Sequence, residues 1–424
     1  MSRSARPPLS PEAAAVVRAM SGGRLSRRGL LAGAGSLGLG AFLAACGASA
    51  STGTADAGPP IDVSQDDRVI KWANWPLYLD RDDVKKSFPS LDDFRKKTGI
   101  TAYYFEEINA NQQYVDSIQT ALSHQQDIGR DLIVLTDWMA AKLVSSGWVQ
   151  PLDKEKLIPN AGNIVAKLKD PDWDRGRAHS LTWQSGYTGI AWNVAKLHDL
   201  GGKKELKNLD DLWAPALNGR VSVLSEMRDT MGLIMLSQGT DPSKPFAQDK
   251  FDAAMIVLEK QVQSGQIRQI SGNTYKDDLV SGDAVAAIAW SGDILQLNTQ
   301  ARAADPTLTS DPYRFVLPES GGMLWSDNLL IPGGATHKAN AQILMNYYYD
   351  PAVAAQVAAY VNYICPVQGA QQALLHRQGV DPAIANSPFV FPTAEHLAQV
   401  RTFRTLTAQE DRDYSATFQQ VLGS

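Results

Sequence analysis

The sequence predicts an α/β protein of two lobes joined by more than one crossing strand. Three observations carry this. Strand-like and helix-like segments alternate from residue 68 onward. Several helix-like segments close on glycine, with lysines in the last turn of the first. A second strand-rich block opens near residue 183, after the first alternation has ended.

The elements follow in order. "RVIKWANW" (68–75) reads as a strand. "DDFRKKTG" (92–99) ends a helix, with Gly99 as its stop. "ITAYYFEEI" (100–108) is a second strand. "NQQYVDSIQTALSHQ" (111–125) has apolar residues at 114, 115, 118, 121 and 122, which is helical spacing. "RDLIVLT" (130–136) is a buried strand, and "DWMAAKLVSSG" (137–147) is a helix closed by Gly147. This βαβαβα order implies a largely parallel sheet with helices on its faces. In the second block, "SGYTGIAWN" (185–193) and "GRVSVLSE" (219–226) read as strands. "DAAMIVLEKQVQSG" (252–265) is a helix, and "AVAAIAWSGD" (284–293) a buried strand ending in Trp290. "RFVLPESGGMLWSDNLLIP" (314–332) returns as extended segments around a Gly-Gly turn. "HKANAQILMNYYYD" (337–350) and "PAVAAQVAAYV" (351–361) are helices, the latter opening on Pro351.

The N-terminal stretch is of a different kind. "GAGSLG" (33–38) has the spacing of a dinucleotide-binding turn. Such a turn needs a strand before it, a helix after it and an acid about 20 positions on. The flanks "RLSRRGLLA" and "LGAFLAACGASASTGTADAGPP" supply neither the strand nor the helix, so the context opposes the nucleotide reading. The segment reads instead as an export signal, with a basic start, an apolar run from Gly29 to Ala45 and small residues at the end. Arg27-Arg28 resembles a twin-arginine signal, and Leu43-Ala44-Ala45-Cys46 resembles a lipobox, which implies lipid attachment at Cys46. The run has 17 residues and five glycines, which disfavours a permanent membrane span. Residues 47–67 read as a flexible tether of roughly 25 Å root-mean-square span.

Beyond residue 45 the chain has 34 basic and 44 acidic side chains, a formal charge of −10. This opposes a nucleic-acid partner and suits cationic ligands. With two cysteines, one of them Cys46, no disulfide framework or thiolate metal cluster is expected. The six histidines are scattered without metal-ligand spacing, and neither H-E-x-x-H, G-x-S-x-G nor a Walker loop occurs. No catalytic residue, metal or cofactor is therefore expected.

Aromatic and acidic residues instead collect at the ends of predicted strands, the edge that faces the ligand crevice in open α/β sheets. Trp75 and Tyr78 follow the first strand; Thr136, Asp137 and Trp138 follow the third. "SEMRD" (225–229) adds Glu226 and Asp229 at the far end of another strand, Trp290 ends its strand, and Trp325 and Asp327 sit on the return strand. The plainer reading of each alone is a core tryptophan or a solvated loop acid; their shared placement argues for a site.

The segments "NWPLYLD", "DLIVLTDWM", "VLSEMRDTMGLIML", "AIAWSGD" and "GGMLWSDNLLIP" resemble, in that order and spacing, the spermidine/putrescine-binding proteins of bacterial ABC importers. The resemblance covers roughly residues 69–370. It implies a two-lobed type II periplasmic-binding-protein fold with a ligand cleft between the lobes. It also implies a polyamine ligand, bound by Trp75, Tyr78, Thr136, Trp138, Glu226, Asp229, Trp290, Trp325, Asp327 and Tyr363. There are departures. Pro76 replaces a polar residue, Trp138 stands where tyrosine is usual, and Glu226 where aspartate is usual. The family's C-terminal pocket glutamine has no clear counterpart; Phe403 or Arg401 falls near its place.

The domain plan that follows is a signal over 1–45, a tether over 46–67 and a first lobe over 68–182 plus about 328–380. The second lobe covers 183–327, and a C-terminal helical segment, about 381–424, packs on the lobes. The expected protein is a monomeric, exported receptor, anchored by lipid alone to the outer face of the cytoplasmic membrane or within a periplasm. Its partners are the permease and ATPase of an importer. Alternatives are another organic amine, an amino acid, for which Arg228 is the residue to watch, or a metal–anion complex in the same fold. A secreted glycosidase using Glu226 and Asp327 would need carboxyls ~5–9.5 Å apart. A purely structural envelope protein is the remaining alternative.

Overall fold

A computed structural model describes residues 60–201 and 205–423. The signal, Cys46 and most of the tether lie outside the described residues. Among the described residues the sequence's alternating pattern becomes one mixed sheet of ten strands.

Strands β1 (Val69–Asn74), β2 (Thr101–Glu106) and β3 (Leu132–Thr136) run parallel. The helices Pro89–Thr98 and Asn111–Ser123 connect them. The apolar run in β3 is explained by its two covered faces. Leu132 and Val134 enter one core with Ile70 and Trp72, while Ile133 and Leu135 enter another with Ala73 and Met139. The helices Lys338–Tyr348 and Pro351–Val361 cover the first of these faces. Asp350 caps the latter, its carboxylate accepting from Ala352 N at 2.8 Å.

In the second half, β5 (Val221–Leu224), β6 (Ile267–Ser271) and β7 (Ala286–Trp290) pair in parallel. They share a core with the helices Met227–Ser237 and Gln248–Gln263.

Two long antiparallel strands serve both halves. β4 (Ser180–Asn193) pairs with β9 (Gly322–Leu330) from Ser180↔Leu330 to Thr188↔Met323, with an irregularity between Thr182 and Gln184. One end of β9 lies against β3, through Ile133↔Leu330 to Thr136↔Asp327. The far end of β4 lies against β7, through Thr188↔Trp290 to Trp192↔Ala286, and against β8 (Tyr313–Val316). Trp325 and Asp327 therefore sit where the strands cross from one half to the other.

Several boundaries differ from expectation. β4 starts at Ser180 rather than 185. The strand predicted over 284–293 stops at Trp290, where a helix, Ser291–Ala304, begins without an intervening turn. β6 and the helix Tyr275–Ser281 are additional elements. The tether ends earlier than residue 67: Val63 N donates to Thr336 O at 2.9 Å, Asn340 N to Ser64 Oγ at 3.1 Å, and Ala339 N to Asp62 Oδ2 at 3.0 Å. The C-terminal segment is not wholly helical. Val400–Arg401 forms β10, parallel to β9 at Gly322–Met323, before the helix Ala408–Leu422. Tyr414 of that helix stacks on Phe251, ring centroids 4.0 Å apart, fixing it to the second half.

Candidate functional site

A cavity of about 350 Å³ opens at the crossing strands. All ten sequence-predicted residues line it: Trp75, Tyr78, Thr136, Trp138, Glu226, Asp229, Trp290, Trp325, Asp327 and Tyr363. They arrive from both halves of the sheet.

The first half contributes the support of Asp327. After β1, Trp75 is pinned by its indole N–H donating to Val134 O at 3.1 Å. Leu77 adopts φ 60°, its N–H held by Glu106 Oε1 at 2.9 Å, and this turn directs Tyr78 inward. Tyr78 donates its hydroxyl to Asp327 Oδ2 at 2.8 Å. Thr136 donates to Asp327 Oδ1 at 2.7 Å, and Asn111 Nδ2 in turn donates to Thr136 Oγ1 at 2.9 Å. Burial is the main reason the Asp327 carboxyl is pushed up to about 7; the two hydroxyls act against it.

The second half contributes a pair. Glu226 and Asp229 stand at the start of the helix Met227–Ser237. Asp229 accepts from Thr188 Oγ1, and from the Trp290 indole at 3.3 Å. Thr188 also accepts from the Trp325 indole at 3.1 Å. Burial raises Glu226 to about 7, with Asp229 adding to the rise and Arg228 opposing it; burial likewise raises Asp229 to about 6. Arg228 does not stand free for a ligand carboxylate. It is ion-paired to Asp411 at 2.6 Å, and its guanidinium lies 4.4 Å from the Trp138 ring centroid.

The aromatic rings contact one another around the cavity. Trp290 meets Trp325 edge-on at 6.2 Å, and Tyr363 lies 5.5 Å from Trp325 and 5.4 Å from Tyr78. Two glycines make this possible. A Cβ on Gly186 would lie 2.4 Å from the Trp325 ring, and one on Gly292 would lie 2.6 Å from the Tyr363 ring.

Further residues at the cavity escaped the sequence reading. Asp293 is 4% exposed and closes the quoted stretch "AIAWSGD", three positions after Trp290, so its signal was present in the sequence. Asn111 and residues 402–405 also line the cavity. Phe403 is among these, whereas Arg401 turns to Asp241 at 3.4 Å. Asp137, beside the predicted pair Thr136 and Trp138, holds β9 in place by accepting from Ser326 N at 3.0 Å and Asn328 Nδ2 at 2.9 Å.

Residues 90–390 match the family described as bacterial extracellular solute-binding protein. The chain belongs to this family. Among relatives of this solute-binding protein, the spermidine/putrescine-binding periplasmic protein of Escherichia coli (strain K12) is 25% identical over 338 residues, covering 78% of this chain and 85% of that protein. A putrescine-binding periplasmic protein of the same organism is 25% identical over 362 residues, covering 82% and 90%. A solved structure described as a putative spermidine/putrescine ABC transporter from Listeria monocytogenes superposes with a TM-score of 0.68 at 23% identity, over 84% of this chain and 98% of that one. A Treponema pallidum lipoprotein superposes with a TM-score of 0.66 at 17% identity, over 84% and 100%. These likenesses establish the mixed α/β fold of periplasmic solute-binding proteins for this chain.

Proposed function

We propose that this solute-binding protein is an extracytoplasmic receptor for a polyamine, spermidine or putrescine, which it delivers to a membrane permease driven by an ATPase. One observation carries the reading. Among the described residues, Glu226, Asp229 and Asp327 face a shared aromatic-lined cavity, Asp327 buried and the other two half-buried, with no lysine or arginine in ion-pair contact. Burying a carboxylate without a counter-charge is costly. A ligand that brings ammonium groups removes that cost, and hydrogen bonds to charged groups contribute ~1.5–3 kcal/mol each. The methylene rod between the amines packs on Trp75, Trp290, Trp325 and Tyr363, whose faces attract cations by ~0.5–2 kcal/mol per good contact. Three unpaired carboxylates favour the triamine spermidine over the diamine putrescine.

The ligand bridges carboxylates from both halves of the sheet, so its capture goes with hinge closure about β4 and β9. No bond of the ligand is broken in this role. Export by the twin-arginine segment, lipid attachment at Cys46 and action as a monomer complete the proposal. Calorimetric titration of residues 47–424 with spermidine and putrescine at neutral pH tests it. Micromolar or tighter binding, lost in Asp327→Asn and Glu226→Gln, is expected. Absence of heat with either amine, in folded protein, rejects the polyamine assignment.

A further inference from the structure

Asp293 is a further carboxylate on the cavity wall, and it differs from the other three in already holding a cation. Lys276 Nζ lies 3.3 Å from Asp293 Oδ2 and 3.2 Å from Asn273 Oδ1. Asp293 and Asn273 both line the cavity, so this ammonium is bracketed by two residues of its wall. The lysine side chain is 19% exposed and the aspartate 5%. Tyr275, the neighbour of Lys276, donates its phenol to Asp293 Oδ2 at 2.7 Å, and Tyr363 donates to Oδ1 at 2.7 Å. Both carboxylate oxygens are thus occupied by the protein, one of them by a primary ammonium.

We infer that Lys276 is a built-in ammonium which fills a fourth cation position at this cavity and so limits the number of ligand amines the site accepts. The inference rests on the polyamine reading of the same cavity. Its chemistry is substitution of like for like. The ε-ammonium of lysine and the terminal amine of a polyamine are the same group on the same kind of methylene stem. Asp293, with two phenol donors, resembles Asp327, with one phenol and one threonine hydroxyl. Removing the lysine charge leaves Asp293 buried, hydroxyl-supported and without a counter-charge, the condition of Asp327 now. A ligand with one more amine then has a partner for it.

A merely structural ion pair predicts something else: its loss lowers the melting temperature and leaves the ranking of amines unchanged. Titration of Lys276→Met and the unaltered protein with putrescine, spermidine and spermine at pH 7.5 separates the two. We expect the spermine-to-spermidine affinity ratio to rise about tenfold or more in Lys276→Met, the effect of one added charge-assisted hydrogen bond. Lys276→Arg, which keeps the charge, restores the original ratio. Adding Asp293→Asn to Lys276→Met also abolishes the gain. Where Lys276→Met does not fold, Lys276→Gln reads the same ratio. A ratio within twofold of the original, in variants that still bind spermidine, overturns the inference and leaves the polyamine reading standing. No binding of any amine by the unaltered protein rejects both.

Discussion

Asp327 and Asp293 hang from opposite halves of the cavity, and each takes two hydroxyl donors in a buried setting. On the β3–β9 side no cation among the described residues pairs with Asp327. On the β7 side the Lys276 ammonium stands 3.3 Å from Asp293. The two carboxylates are equivalent in hydrogen bonding and differ in charge balance. The difference teaches that hydroxyl donors and burial make a carboxylate pocket, while on the proposed polyamine reading the lack of a paired protein cation among the described residues is what would leave it to a cationic ligand.

The sharpest way to break this comparison is Asp327→Asn. Asparagine keeps the shape, yet its amide adds donors where the hydroxyls of Tyr78 and Thr136 already donate. The bound ammonium then has no counter-charge. Spermidine affinity should fall about 100-fold or more, measured by calorimetry. A fall of less than threefold would remove Asp327 from the site. Trp290→Ala comes next. It deletes an aromatic face and the indole donor of Asp229, and an affinity loss of about tenfold to thirtyfold is expected.

The charge state of the acids gives a third, smaller effect with a definite sign. Glu226 and Asp327 titrate near 7 and Asp229 near 6 in the ligand-free protein, above their ordinary values. A raised folded-state value contributes stability that is complete below the unfolded value, near 4, and is lost as pH rises through 6–7. The ligand-free melting temperature should therefore fall between pH 5 and pH 8. Polyamine affinity should run the other way, weakening by about tenfold from pH 8 to pH 5.5, because the protons it must displace are then bound.

The parts that were legible in the sequence are those where one physical rule acts alone. The two faces of β3 are both covered, so "LIVL" is apolar throughout and reads as a buried strand. Trp75, Trp138 and Trp290 sit at strand ends because the chain turns there, and their grouping could be anticipated from order alone. Other parts depend on partners distant in sequence. β10 is two residues long and exists through its pairing with β9 some 78 positions earlier. The helix Ser291–Ala304 begins directly on a strand, with no glycine or proline between them at the junction, so its start reads as strand. β6, "IRQIS", is partly exposed and carries just two apolar residues. Thr188 lies in the middle of a predicted strand, and its service to both Asp229 and Trp325 needs the register of β4 on β9. Asp293 stood in plain view, yet its ion pair with Lys276 joins two helices that the pattern did not separate.

The gentlest perturbation tests whether the geometry of the β7 side matters apart from its charges. Gly292 is followed at once by Asp293, and its backbone lies under the Tyr363 ring. Gly292→Ala adds one methyl, which would sit 2.6 Å from three atoms of that ring. The ring is held by its own hydrogen bond to Asp293 and by Tyr78 and Trp325 beside it, so it must shift as a unit or break that bond. Gly292 lies in the first turn of its helix, where alanine is favoured over glycine by ~1 kcal/mol, so the helix itself gains. We expect an unchanged or slightly higher helix content by circular dichroism, with spermidine binding weakened about threefold to tenfold through the displaced Tyr363. Affinity equal to that of the unaltered protein would mean that Tyr363 has room to move without cost. The carboxylates, and not the closeness of the aromatic wall, would then account for binding on this side.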